Sequence, residues 1–337
     1  MIEEILFGTY TKKNSQGIYK MKLNTETKTL NHRALVAKIS NPTYITKSKQ
    51  NFIYAVDKYN NDGGVAVIDT NATPAQVVQH VVQPGTPPAY VTVTSDQKYV
   101  LDANYHEGTL HSYAIKKSGI LEPVDTFSNT GKGPRPEQDG SHLHFVDETP
   151  DGKLVACDLG TDQVFVLDFN DGLFSVASTY QTESGFGPRH IVFAPNSNTA
   201  YLVGELSSQV EVLSYSAGQL KHIQIVKTIP ETYTEHNGAA AIRISADGRF
   251  LYVSNRGFNT IAVFSINSDH TLNEIQNITT EGDFPRDFNF NSDQSFVICA
   301  NQETDNVTLY TRNADDGKLT AVQKNIEVPE AVCVYVG

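Results

Sequence analysis

Residues 187–215, GPRHIVFAPNSNTAYLVGELSSQVEVLSY, read as three short strands joined by two turns. Residues 191–194 are apolar, Asn196-Ser197-Asn198 is a turn, residues 200–203 are apolar again, and after Glu205-Leu206-Ser207-Ser208 the run 210–215 alternates. That succession is the pattern of an antiparallel meander. Its polar residues sit at the corners: Arg189 and His190 at the start of the first strand, Glu205 at the end of the second. In an antiparallel pair that start and that end lie at the same end of the sheet, so one edge of the unit gathers two potential cations and a carboxylate.

The unit recurs along the chain. Aligned on the turn after the first strand, the copies are Ser95-Asp96-Gln97-Lys98, Pro150-Asp151-Gly152-Lys153, Pro195-Asn196-Ser197-Asn198, Ala246-Asp247-Gly248-Arg249 and Ser292-Asp293-Gln294-Ser295, with a degenerate copy at Ser48-Lys49-Gln50-Asn51. Neighbouring copies lie about 45–55 residues apart, the period of a four-stranded propeller blade and too long for most helical repeats. A second strand follows each turn (FIYAVD, YVLDAN, LVACDL, AYLVGE, FLYVSN, FVICAN), then a third and a more variable fourth. No sustained apolar spacing of three and four residues signals a helix. The N-terminus supplies ILFGTY, GIYKMKL and residues 30–38, which match strands two to four of a blade lacking its first; EAVCVYV near the C-terminus matches that missing strand. Six internal repeats and this composite blade predict an all-β, seven-bladed β-propeller of four-stranded antiparallel blades, a single domain over residues 1–337, closed so that no sheet edge is left free. A pair of β-sandwiches would not keep one phase along the chain.

Composition agrees. No Pro/Gly/Ser-rich linker or charge run divides the 337 residues. Cys157, Cys299 and Cys333 are each embedded in strand sequence; their odd number and scattered spacing argue for small buried thiols rather than a disulfide framework or zinc site. No apolar segment has the length of a membrane span, and Met1 to Glu4 lead into a strand with no basic signal region, so the expected location is cytoplasmic. Two glycosylation sequons, at Asn277 and Asn306, then carry no meaning. The formal net charge of −12 makes nucleic acid or an anionic membrane surface an unsuitable partner.

Against that charge the clustered cations stand out. Two rings of positions fall in register on one face. The first, six residues before the small or Pro residue of the turn, holds Pro42, Ala89, His144, Arg189, Ala240 and Arg286. The second, just past the second strand, holds Lys58, Tyr105, Gly160, Glu205, Arg256 and Gln302. Three arginines, a histidine and a glutamate in register around one mouth point to a site for an anion. Taken singly, each has a plainer reading as a solvated or cross-blade corner residue. His142-Leu143-His144 invites a metal reading, since residues two apart on a strand share a side, but no second pair stands in equivalent register; the bland reading of His142 is a hydrogen-bonded corner residue. His106, His111, His222 and His270 read as surface positions, and His236 is left open. There is no Gly-x-Ser-x-Gly elbow, no cysteine nucleophile and no phosphate-cradling Walker loop.

FGTYT with GIY near the start, Asn41-Pro42, HxHxxxxxPDG with DLGTD (residues 142–162), GPRHxxFxP followed by a strand-end Glu, and SxDGRFLYVSNRG (residues 245–257) together resemble the propeller-type 6-phosphogluconolactonases, which are similar in turn to fungal carboxy-muconate cyclases. The resemblance spans nearly the whole chain; Asn196-Ser197-Asn198 in place of an Asp-Gly turn and Gly204 before Glu205 depart from the pattern. It implies a lactone hydrolase without metal or organic cofactor, acting on an anionic sugar lactone, with catalytic positions His144, Arg189, Glu205 and Arg256. Arg286, His190 and His142 complete the candidate set as substrate-binding residues. Arginine suits anion capture and oxyanion stabilisation because its planar fork stays charged. Water activation falls to His144, whose ordinary pKa suits neutral pH, or to Glu205. Two alternatives stand beside hydrolysis: a cycloisomerase forming a carboxylated muconolactone with the same residues, and a non-enzymatic propeller scaffold.

Overall fold

The computed structural model describes residues 1–195 and 197–337; Asn196, in the fourth of the aligned turns, lies outside the described residues. All of the regular structure described is β, in seven four-stranded antiparallel sheets. Six are sequential, within residues 45–84, 90–128, 143–181, 188–227, 238–279 and 285–327. The seventh joins the C-terminal strand Ala331–Val336 to the N-terminal strands Ile2–Thr9, Gly17–Asn24 and Thr29–Lys38. The fold is a seven-bladed β-propeller whose last blade mixes both chain ends. No helix among the described residues is long and apolar enough to cross a membrane.

The blades form because each contributes middle strands rich in apolar residues that must be covered on both faces. Leu154–Asp158, Thr199–Gly204 and Phe296–Asn301 are buried along their whole length, whereas fourth strands such as Thr29–Lys38 and Leu173–Gln181 are largely exposed. The turns repeat one chemistry. Asp96, Asp151 and Asp247 each accept a hydrogen bond from the Thr or Ser hydroxyl two residues earlier (2.8, 2.7 and 2.6 Å), and Asp293 from the Asn291 amide (2.8 Å). For Asp96, Asp247 and Asp293 the backbone N–H two residues on adds a second bond, the Asx-turn geometry that makes aspartate the recurrent residue there.

Two compact units divide the chain: residues 1–35, 190–214 and 221–337 in one, residues 36–189 and 215–220 in the other. In the first, the composite blade packs on the sixth through a cluster including Phe7, Met21, Leu309, Ile298 and Val334. Glutamines on outer strands clip consecutive blades with paired bonds to a leucine backbone: Gln224 to Leu272 (2.8 and 3.3 Å), Gln276 to Leu319 (2.8 and 2.9 Å) and Gln323 to Leu30 (2.7 and 3.2 Å). Tyr252, wholly buried, donates its hydroxyl to the Gly317 carbonyl at 2.7 Å. Gly317 itself has φ 73°, and a side chain there would strike the Phe250 ring. The second unit repeats both devices, with Gln79 on Leu121 (2.7 and 2.9 Å) and Tyr54 on the Gly119 carbonyl (2.9 Å). Its core gathers Tyr54, Val67, Val91, Val100 and Tyr113.

A β-bulge breaks the innermost strand of several blades. The ladder pairs Leu143 with Asp158 and then Phe145 with Cys157, which skips His144; it pairs Pro285 with Asn301 and then Asp287 with Ala300, which skips Arg286. In the composite blade it runs from Ala331–Thr9 to Cys333–Gly8 and skips Val332. A bulged residue leaves the ladder and is re-aimed from the sheet face, so His144 and Arg286 of the first ring stand at bulge positions.

Candidate active site

In the unit of residues 36–189, the bulged His144 is 4% exposed and meets the Tyr105 ring edge-on, at 5.8 Å between centroids and 80° between planes. His142 lies flat on the same ring, at 4.3 Å and 7°. Both of its nitrogens are engaged, Nδ1 with the Tyr105 carbonyl at 2.8 Å and Nε2 with Asp139 Oδ1 at 2.9 Å. Tyr105 is thereby the plate between the two histidines, and His142 serves as the corner residue of its plainer reading. Gly160 provides the room: a Cβ there would fall 1.8 Å from the Gly140 carbonyl oxygen and 2.9 Å from His142 Cδ2. The ring position just past the second strand belongs in this blade to the buried Leu159, however, because the turn before that strand is one residue shorter: the Thr149 N–H donates to the Lys153 carbonyl, whereas Asn291 and Ser245 donate one residue further on, to Phe296 and Phe250. Counting from the turn had assigned it to Gly160. Arg189, at the start of Pro188–Phe193, is 3% exposed.

The other unit brings Glu205 and Arg256 together. Arg256 Nη2 stands 2.9 Å from Glu205 Oε1. Its Nε donates to the Gly238 carbonyl at 3.2 Å and Nη2 to the Ala239 carbonyl at 3.3 Å, so the guanidinium is braced by backbone on one edge and by the carboxylate on the other. The Ala239 N–H in turn donates to the Glu205 carbonyl at 3.2 Å. The Phe284 ring completes the setting, with Arg256 Cζ 5.2 Å from its centroid. Phe284 holds this place at φ 64°, a left-handed backbone uncommon for a bulky residue. Asn259 Oδ1 stabilises it by accepting the N–H groups of both Phe284 (2.9 Å) and Gly257 (3.0 Å), which ties the residue after Arg256 to the ring beneath it. His190 is 3% exposed. Arg286 faces the Tyr10 ring, its Cζ 5.8 Å from the centroid.

Two residues here escaped the sequence reading. Tyr10 follows Thr9 as Arg256 follows Asn255 and Gln302 follows Asn301, and Thr9, Asn255 and Asn301 all pair with the residue before the bulge. Tyr10 is thus the second-ring member of the composite blade; the FGTY alignment contained the signal, but the ring was not carried onto it. Phe284 occupies the register of His142, since each carbonyl receives the N–H of the residue just past its own second strand, from Gln302 and Leu159 respectively, both at 3.0 Å. Each places its ring against the second-ring residue of the preceding blade. Nothing in a lone Phe-Pro-Arg announces that.

His111 also departs from expectation. It is buried rather than on the surface, directly across the ladder from Asp102, with Nδ1 2.8 Å from Asp102 Oδ1, while the Tyr113 hydroxyl donates to Oδ2 at 2.8 Å. Burial opposes its charge, but the bond to Asp102 and that carboxylate's field more than offset it and raise the imidazole pKa. His106 and His222 are exposed, and His270 is half-buried. All three cysteines are free and buried. Among the described residues no group of three or more His, Cys, Asp or Glu side chains gathers as metal ligands.

The family described as "Lactonase, 7-bladed beta-propeller" matches residues 4–336. A Bacillus subtilis protein named 6-phosphogluconolactonase is 39% identical over 335 residues, covering 97% of this chain and 96% of its own. A crystal structure of a protein from Lactobacillus plantarum superposes with a TM-score of 0.98 at 52% identity, covering 99% of each chain. That of a periplasmic gluconolactonase from Pseudomonas aeruginosa gives 0.93 at 29% identity, covering 100% of this chain and 99% of the other. The chain belongs to the seven-bladed β-propeller lactonase family, and is by that membership a lactonase-type hydrolase.

Proposed function

We propose that the protein hydrolyses 6-phosphoglucono-1,5-lactone to 6-phosphogluconate in the cytoplasm, with no metal or organic cofactor. The observation that carries this reading is the braced Glu205–Arg256 pair, a carboxylate and a guanidinium 2.9 Å apart on a rigid backbone frame. Fixed charges of this kind stabilise a developing oxyanion without reorganising during the reaction. In the proposed course, Glu205 or His144 takes a proton from water as it attacks the lactone carbonyl. Arg189 stabilises the oxyanion of the tetrahedral intermediate, and Arg256 and Arg286 hold substrate anionic oxygens. The intermediate then collapses, the ring C–O bond breaks, and the ring oxygen leaves as a hydroxyl by recovering the proton from the base. The Glu205 carboxylate is already engaged by Arg256, which favours His144 for the proton and leaves Glu205 to position Arg256.

The Pseudomonas relative's name supports a second substrate, the unphosphorylated gluconolactone. Steady-state hydrolysis of freshly generated 6-phosphogluconolactone beside glucono-1,5-lactone tests both readings. The phosphorylated lactone is expected to show the higher kcat/KM. Equal or reversed values would favour the neutral lactone, and hydrolysis of neither at rates above the spontaneous reaction would overturn lactone hydrolysis.

A further inference from the structure

Arg286 does not face the Tyr10 ring alone. Lys12 Nζ stands 4.1 Å from the centroid of the same ring. Two cations thus share one aromatic plate, and among the described residues neither has a carboxylate within ion-pairing distance; the neighbouring Lys13 is the one that pairs, with Glu303 at 3.8 Å. In a chain of net charge −12, two such cations converging without a counter-charge ask for an anion from outside.

The Lys12 loop is held rather than floating. The buried Glu330 carboxylate accepts the backbone N–H groups of Lys12 (2.8 Å), Lys13 (2.9 Å) and Ser15 (3.0 Å), and its own carbonyl takes that of Tyr10 (3.0 Å). Thr9 Oγ1 closes the base of the loop on the Gly17 carbonyl at 2.8 Å. A carboxylate seated in three backbone N–H groups spends its charge on the loop and leaves the Lys12 ammonium unneutralised.

Position then says what the anion is attached to. Arg256 lies on the Phe284 ring, and Arg286 stands two residues further along the chain. Contacts therefore link Glu205, Arg256 and Phe284 in one group and Arg286, Tyr10 and Lys12 in a second, joined through Pro285, with the carboxylate–guanidinium pair in the first and two cations without a carboxylate partner in the second. A six-carbon phosphorylated lactone likewise carries its reacting carbonyl and its terminal phosphate at opposite ends.

Resting on the lactonase reading, we propose that Lys12, Tyr10 and Arg286 form the subsite for the dianionic phosphate tail, so that the N-terminal loop is the element that selects phosphorylated over neutral lactones. The first readout is the ratio of kcat/KM for 6-phosphogluconolactone to that for glucono-1,5-lactone. Lys12→Met is expected to lower this ratio about ten- to a hundredfold, the range of one charge-assisted contact, mainly through KM. Lys12→Arg should restore most of it. Tyr10→Phe should keep it, since the ring face orients the cations, while Tyr10→Leu should lose it. The second readout is calorimetric binding of 6-phosphogluconate against gluconate, which needs no turnover. A ratio and a 6-phosphogluconate affinity both unmoved by Lys12→Met would overturn the subsite while leaving lactone hydrolysis standing. A protein that hydrolyses neither lactone yet binds 6-phosphogluconate in a Lys12-dependent way would refute the lactonase reading and keep the subsite.

Discussion

Gly238→Ala is a perturbation that displaces the arginine without removing any charge. Gly238 pairs with Arg256 across the ladder, and a Cβ built on it stands 3.0 Å from Arg256 Nη2 and 3.7 Å from Glu205 Cγ. An ordinary carbon–nitrogen contact begins near ~3.5 Å, so the guanidinium must withdraw by about 0.5 Å. Its bond to the Ala239 carbonyl, already 3.3 Å, is lost first, and the 2.9 Å contact with Glu205 must re-form from a shifted position. A misplacement of about 1 Å costs on the order of 10² in rate, so half of that predicts a fall of about tenfold in kcat. The backbone accepts alanine, because Gly238 is an ordinary strand residue outside the left-handed region, and the change in stability should stay within about 1 kcal/mol. Steady-state kinetics with 6-phosphogluconolactone beside thermal unfolding of both proteins makes the measurement. Wild-type kcat at an unchanged Tm would refute the reasoning, since it would mean that the placement of Arg256 does not govern the chemistry.

Glu205→Gln preserves shape but removes the charge that braces Arg256; if His144 is the base, it should lower kcat less than His144→Gln does, and the reverse order would make Glu205 the base. Deleting residues 329–337 removes the strand that pairs Ile5 to Thr9 and takes Val332, Cys333 and Val334 out of the core, so the protein should aggregate or lose cooperative unfolding; a soluble truncation with an unchanged transition would count against closure by the C-terminal strand. Asp96, Asp151, Asp247 and Asp293 are partly desolvated, yet the hydrogen bonds of their turns prevail and lower each pKa below the ordinary 3.8. Depressed carboxylates stabilise the fold above the unfolded value and lose that contribution as pH falls through the folded one. Tm should therefore decline below about pH 4, and less steeply in an Asp247→Asn variant. Prolonged EDTA treatment should leave hydrolysis intact, and loss of activity restored by a divalent ion would bring His142, His144 and His190 forward as ligands.

The repeat made the propeller legible because a blade is a local object. Turn aspartates, apolar second strands and the composite closure all follow from short-range chemistry repeated in one phase, and the ladder from Ala331–Thr9 to Val336–Ile5 is the pairing that EAVCVYV and ILFGTY foretold. The site was legible only to the extent that it shares this phase. His144 and Arg286 were selected by counting back from the turn, and the skipped rung of the bulge on which each sits is invisible in the letters. Counting failed where turn length varies: one residue fewer between Thr149 and Lys153 moved the ring position from Gly160 to Leu159.

What the sequence hid is what depends on neighbours in space. Phe284 and His142 share a register but not a residue type, and the function of each is set by the side chain that the preceding blade puts before it: a guanidinium in one case, a phenol ring in the other. His111 read as a surface residue because its partner, Asp102, is nine residues away in the chain and adjacent only across the ladder. Lys12 carried no signal in the sequence, since the carboxylate that fixes its loop comes from the opposite end of the chain, at Glu330. The closure that stabilises the composite blade is thus also what presents Lys12. Removing the Glu330 carboxylate by Glu330→Gln should free the loop and weaken 6-phosphogluconate binding with Lys12 itself untouched, which ties the architecture of the last blade to the choice of substrate.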